Sequence, residues 1–149
     1  MGSVLSPAAV GAVLAFGIAM AGAARAGCHD PPAPNVDWTG CPMAGADLSD
    51  KDLTGANLTG ANLSNSDLDG ATLTKATLVK TNLRFANLSN AKLKGANLTG
   101  ATLNKAYMNG ADLGDAILQG AVLTDANLTN VLWSDGKKTC ANPSIGACK

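Results

Sequence analysis

Leucine recurs along this chain with a period that neither regular secondary structure accommodates. From Leu48, Leu53 and Leu58 through to Leu128 it fills every fifth position, 17 in succession, with Met108 as the one replacement. Alanine stands two residues earlier in 14 of those 17 units, the exceptions being Lys51, Ser66 and Thr81. On a helix, a step of five rotates each successive leucine by about 140° and smears the apolar residues over every face. On a continuous strand, an odd step sends neighbouring leucines to opposite faces. Only a backbone that turns a corner once per pentad, winding around its own side chains, keeps every leucine inside.

The residues between the leucines agree with such a corner. Asn, Asp or Thr sits between Ala and Leu in most units, and the following dipeptide is rich in Gly, Asn, Asp, Ser and Thr, the residues that turns favour. Gly55, Gly60, Gly70, Gly95, Gly100, Gly110 and Gly120 all take its second position. The register extends forward to Val36-Asp37-Trp38-Thr39-Gly40 and backward to Val131-Leu132-Trp133-Ser134-Asp135, so residues 36–135 form 20 consecutive pentads.

This unit resembles that of the pentapeptide-repeat family, Ala-(Asp/Asn)-Leu-x-x. The resemblance implies an all-β fold, a right-handed quadrilateral β-helix with four pentads per coil. Twenty pentads then make about five coils, 36–55, 56–75, 76–95, 96–115 and 116–135, stacked into a rod of roughly 24 Å at the strand spacing. Trp38 and Trp133 take the leucine position in the first and last coils and are expected as plugs at the two mouths. Pro42 is tolerable if its missing donor faces the first edge. Lys51, inward by register, sits where its ammonium can leave through the open end.

The chain before the repeat reads as an address. From Val4 to Ala24 the only polar residue is Ser6, and Ala24-Arg25-Ala26 offers the small-x-small pattern of a signal-peptidase site. Residues 1–26 are therefore expected as a signal peptide cleaved before Gly27. A retained anchor is the first rival, and lipidation at Cys28 the second, although Arg25 sits where a lipobox carries an aliphatic residue. Residues 27–35 then form an N-terminal cap segment and 136–149 a C-terminal tail. That tail resembles the closing segment of other exported bacterial pentapeptide-repeat proteins. Periplasmic or secreted location follows, with no membrane contact after cleavage.

Cys28, Cys41, Cys140 and Cys148 all lie in the mature chain, and four cysteines permit three connectivities. Cysteines at opposite ends of a 24 Å rod cannot approach within the roughly 7 Å between α-carbons that a disulfide needs. Cys28–Cys41 and Cys140–Cys148 are the expected bonds.

Chemistry-bearing residues are scarce. There is one histidine, His29, and no glutamate. Serines and threonines lack a nearby general base, so no catalytic residue is expected, and neither is a cofactor or a metal. Cys28, His29, Asp30 and Cys41 as a metal set is outweighed by cysteine pairing. Asn57-Leu-Thr59, Asn62-Leu-Ser64, Asn87-Leu-Ser89, Asn97-Leu-Thr99 and Asn127-Leu-Thr129 match the glycosylation sequon, as by-products of the repeat.

The chain carries 11 Lys+Arg and 11 acidic residues, all Asp. That balance argues against a nucleic-acid binder. A topoisomerase-inhibiting DNA mimic, an activity of some pentapeptide-repeat proteins, is disfavoured on the same ground and by export: residues 46–130 hold eight Asp against seven Lys/Arg. A period of 20 stacks Lys92 on Asp112 and Lys105 on Asp125. It also gathers Arg84, Phe85 and Lys105 at one corner with Tyr107 nearby, the expected contact for a protein partner. The leading expectation is a non-enzymatic structural or interaction module, a monomer or an end-to-end dimer, with the two caps arguing against the dimer.

Overall fold

The computed structural model describes residues 27–149; the expected signal peptide, 1–26, lies outside them. The chain forms a four-sided stack. Its rungs pair through single-residue parallel bridges, and from Asp37↔Asn57 to Asp112↔Leu132 each joins residues 20 apart. Four pentads therefore complete one turn. On each side the leucine N–H donates to the rung above, as Leu58 N–H does to Thr77 C=O at 2.7 Å. The central polar residue donates downward, as Asn57 N–H does to Val36 C=O at 2.9 Å.

Corners follow from backbone geometry. The second corner residue has φ near 65–72° at the repeat glycines and 55–60° where it is Asn, Asp, Lys or Phe. Glycine adopts this left-handed region freely, whereas other residues incur strain there. The alanine N–H then closes the turn on the preceding leucine carbonyl, as in Ala61 to Leu58 at 3.0 Å.

The central Asn or Asp stabilises that turn from outside. Asn57 Oδ1 accepts the Thr59 N–H at 3.2 Å and the Thr59 hydroxyl at 2.8 Å, and Asn62–Ser64, Asn87–Ser89 and Asn97–Thr99 repeat the arrangement. These are Asx turns. They give four of the sequon-like triplets a structural role, because the hydroxyl two residues on donates to the Asn Oδ1.

The interior is a column of leucine and alanine, with Leu53 through Leu103 fully buried. Two of the three alanine-site exceptions stay inside because their hydroxyls are paired. Ser66 donates to Leu63 C=O at 2.6 Å and Thr81 to Leu58 C=O at 2.7 Å. Lys51, the third, is exposed at the open first rung. Pro42 bridges upward to Asn62 and has no rung beneath it to miss its donor.

The ends differ. Cys28 is bonded to Cys41 and Cys140 to Cys148, with Cα separations of 5.5 and 4.9 Å. Trp38 is buried within the first rung, its Nε1 without a hydrogen-bond partner. Trp133, expected to be as enclosed as Trp38, is only partly buried, and the tail turns back at Gly136 directly after it. The tail folds back antiparallel over two sides of the last rung, bridging Leu132 with Thr139 and Asn127 with Ile145.

Candidate interaction surface

Phe85 stands at a corner, φ 59°, and is 42% exposed. A bulky aromatic in the left-handed region is an outlier that the fold does not require, since glycine fills the same position in many other pentads. Its N–H is nonetheless engaged, donating to Asn104 C=O at 3.1 Å, and the preceding Arg84 N–H donates to Asn82 Oδ1 at 3.2 Å. The turn is thus held by neighbours, and the ring is free to face solvent.

Two cations flank that ring. Arg84 Cζ and Lys105 Nζ each lie 5.8 Å from its centroid. Each contact is worth about 0.5–1 kcal/mol at an exposed site. Lys105 arrives because the 20-residue period places it directly above Phe85. Its ammonium therefore leans back toward the ring, where the sequence suggested an exposed pairing with Asp125. Lys92 and Asp112 do share a bridge, but Asp112 Oδ1 accepts the Gly114 N–H at 2.8 Å. Tyr107, 55% exposed, sits between Asn87 and Asn127 on the adjoining side. The four residues make an aromatic and cationic ridge on the surface of the rod.

Elsewhere the polar side chains serve the turns. A cleft of about 240 Å³ beside the tail is lined by Lys94, Asp112, Asp115, Asp135 and Lys137 among others. Asp135 Oδ1 accepts the N–H groups of Lys137 and Lys138, both at 2.9 Å. These bonds hold its carboxyl below the usual carboxylate value. Asp47 and Asp52 are lowered likewise, chiefly by the hydroxyls of Ser49 and Thr54. His29 is exposed beside the Cys28–Cys41 disulfide, and among the described residues no group of His, Cys, Asp or Glu is placed to hold a metal.

Sequence reasoning passed over a second apolar surface. Ile117 and Val122, 50% and 43% exposed, lie on the last rung where the tail does not reach, and Ile145 of the tail is 51% exposed. The signal was present: 117 and 122 are the only central pentad positions that carry isoleucine or valine.

A family model described as pentapeptide repeats matches residues 39–74, 66–104, 81–120 and 106–131. Among solved structures the chain is similar to HetL, a pentapeptide-repeat protein involved in heterocyst differentiation regulation from the cyanobacterium Nostoc. It is 34% identical, with TM-score 0.56, covering 69% of this chain and 51% of that one. QnrB1, a plasmid-mediated fluoroquinolone resistance protein, matches at 20% identity and TM-score 0.59 over 66% of this chain and 51% of its own. The pentapeptide-repeat protein Rfr23 from the cyanobacterium Cyanothece is 31% identical, with TM-score 0.46, over 64% of this chain and 85% of that one. The chain thus spans about half the length of HetL and of QnrB1. Likeness to those two structures implies the right-handed quadrilateral β-helix. No curated protein matches the sequence.

Proposed function

This chain belongs to the pentapeptide-repeat family, and from that premise we propose that it is an exported, non-enzymatic module whose Phe85 corner docks a protein partner. The observation that carries the reading is a strained, exposed aromatic held between two cations at a position where glycine would serve the fold. Two disulfides support an oxidising compartment, consistent with a cleaved leader at 1–26, a cap at 27–35, a rod of about five coils over 36–135 and a pinned tail at 136–149. The near balance of Asp and Lys/Arg along the repeat speaks against imitation of DNA. Asparagine tolerates the left-handed corner, so Phe85→Asn combined with Arg84→Ser removes the ridge and preserves the turn. A partner captured from native envelope extract by the unmodified protein should be lost by this variant while the melting temperature is retained. Capture of the same proteins by both would overturn the proposal.

A further inference from the structure

Positive charge is concentrated in the middle of the rod. Between Asp69 and Asp112 the chain carries Lys75, Lys80, Arg84, Lys92, Lys94 and Lys105 and no acidic residue. Aspartates fill the flanks, among them Asp50, Asp52 and Asp67 below and Asp115, Asp125 and Asp135 above. Arg84 and Lys105 are engaged with Phe85, and the other four cations gather elsewhere. The 20-residue period sets Lys92 over Thr72 and Lys94 over Thr74. Lys75 completes that corner, and Lys80 stands at the next. All four lysines are exposed, and none makes an ion pair among the described residues.

The surface between these lysines is polar, and its hydroxyls are unspent. Where the centre of a pentad is Asn or Asp, the hydroxyl two places on commonly bonds to it, as Thr54 does to Asp52 and Thr59 to Asn57. Pentads 71–75 and 76–80 carry threonine at the centre instead. The hydroxyls of Thr72, Thr74 and Thr77 accordingly have no hydrogen-bond partner among the described residues. Glycine clears the path of the lysine stems. Lys75 Cγ lies 3.6 Å from the place a β-carbon at Gly95 would take, and Lys80 Cγ 3.5 Å from its counterpart at Gly100. Both stems therefore run past the corner glycines of the next rung.

We propose that this two-rung patch, Lys75, Lys80, Lys92 and Lys94 with the hydroxyls of Thr72, Thr74 and Thr77, binds an acidic polysaccharide laid across the rod. Charge sets the direction. Asp52 lies beneath Thr72 and Asp112 above Lys92, so a polyanion following the rod's axis meets carboxylates within a rung of the patch. One that crosses the rod meets cations and neutral groups only. Around the girth, Lys92, the Lys75/Lys94 corner and Lys80 span two sides, each roughly 10 Å long at three extended residues. Single exposed contacts of this kind are weak, and binding comes from several made together along one chain. The free hydroxyls between the cations suit those of a sugar. An acidic peptide finds no strand edge here, since the N–H groups of Ala76, Thr77, Leu78 and Lys80 all bond within the rod. A nucleic-acid strand finds no aromatic ring on these two sides to stack a base against. The patch does not depend on the Phe85 corner or on what docks there.

Fluorescence anisotropy of end-labelled polygalacturonate and dextran sulfate, titrated with intact oxidised protein, tests this. The two probes separate carboxylate from sulfate as the recognised group, and uncharged dextran should not bind. Four contacts at about −0.7 each give a salt slope of about −2.8, or affinity about 50-fold weaker at about 200 mM salt than at about 50 mM. Lys75→Asn, Lys92→Asn and Lys94→Ser together install residues that other pentads carry at the same places, and asparagine tolerates the left-handed corner. This triple variant should bind at least about 10-fold more weakly, with the slope reduced to about −0.7 and no loss of melting temperature. Lys80→Asn alone should lower the slope to about −2.1 and decides the matter if the triple variant misfolds. Lys137→Ser with Lys138→Ser, which removes two cations outside the patch, should bind as the unmodified protein does. Failure of both acidic probes to bind at about 1 mM protein and about 50 mM salt, the weak limit of measurable affinity, overturns the proposal. So does affinity unmoved in the folded patch variants, or equally reduced by the Lys137/Lys138 pair. Tighter binding of poly-L-glutamate or of single-stranded DNA at the same salt would overturn it in favour of that polymer.

Discussion

Leu58, Leu78, Leu98 and Leu118 occupy one interior column, 20 residues apart, with Trp38 at its foot. Truncating two members of that column measures how stability is distributed. Leu78 is fully buried, with leucines above and below. Leu78→Ala removes side-chain atoms from a site that cannot collapse, because the ladder hydrogen bonds on both sides fix the rung spacing. A Leu→Ala change in a rigid core costs about 2–5 kcal/mol, and the upper-middle of that range, about 3–4 kcal/mol, is expected here. Leu118 is partly buried and has a neighbour on one side only, so Leu118→Ala should cost about 1–2 kcal/mol. For a chain of this size each kcal/mol shifts the melting temperature by about 4 °C, so the expected decreases are about 12–16 °C and 4–8 °C. Guanidinium titration of oxidised protein should show the same order in midpoint with an unchanged slope. Nearest-neighbour stacking is the assumption at stake. Equal losses at the two positions, or a larger loss at Leu118, would refute it.

Trp38 should tolerate phenylalanine, with a stability change within about 1 kcal/mol, because the unpaired buried indole donor is removed along with some packing; Trp38→Ala should cost about 3–5 kcal/mol. Denaturant midpoints of the two variants check this, and a phenylalanine variant as damaged as the alanine one would contradict it. Asp47, Asp52 and Asp135 have carboxyls held below the ordinary 3.8 by hydrogen bonds present only in the folded chain. A depressed folded value contributes stability above pH 3.8 that is lost as pH falls through the folded values. Melting temperature should be flat from neutral to about pH 5 and decline below about pH 4. A rise on acidification through that window would reverse the sign. Cys140→Ser with Cys148→Ser should free the tail and lower stability by about 2–3 kcal/mol. Hydrogen exchange should then report faster exchange at Leu128 and Trp133, whose amides the tail covers, with little change at Leu78.

The five-residue leucine period, the alanines two places before and the glycine-rich corners were legible because each reflects a local requirement repeated many times. An inward side chain must be apolar, an alternate position must be small, and a left-handed corner must be cheap. The burial of Trp38 and the place of Pro42 and Lys51 in the first rung were readable for the same reason, since register alone says which way a side chain points. The square cross-section came from stacking. The leucine period constrains a corner per pentad and leaves the number of sides to the hydrogen bonds between rungs, which join residues 20 apart. That number then decided that Lys105 overlies Phe85, and that its ammonium turns to the ring. Ile117 and Val122 were passed over in sequence, and the structure exposes both on the last rung. Their exposure depended on where the tail stopped, a matter of chain direction and reach at the rod's end that no periodic pattern encodes.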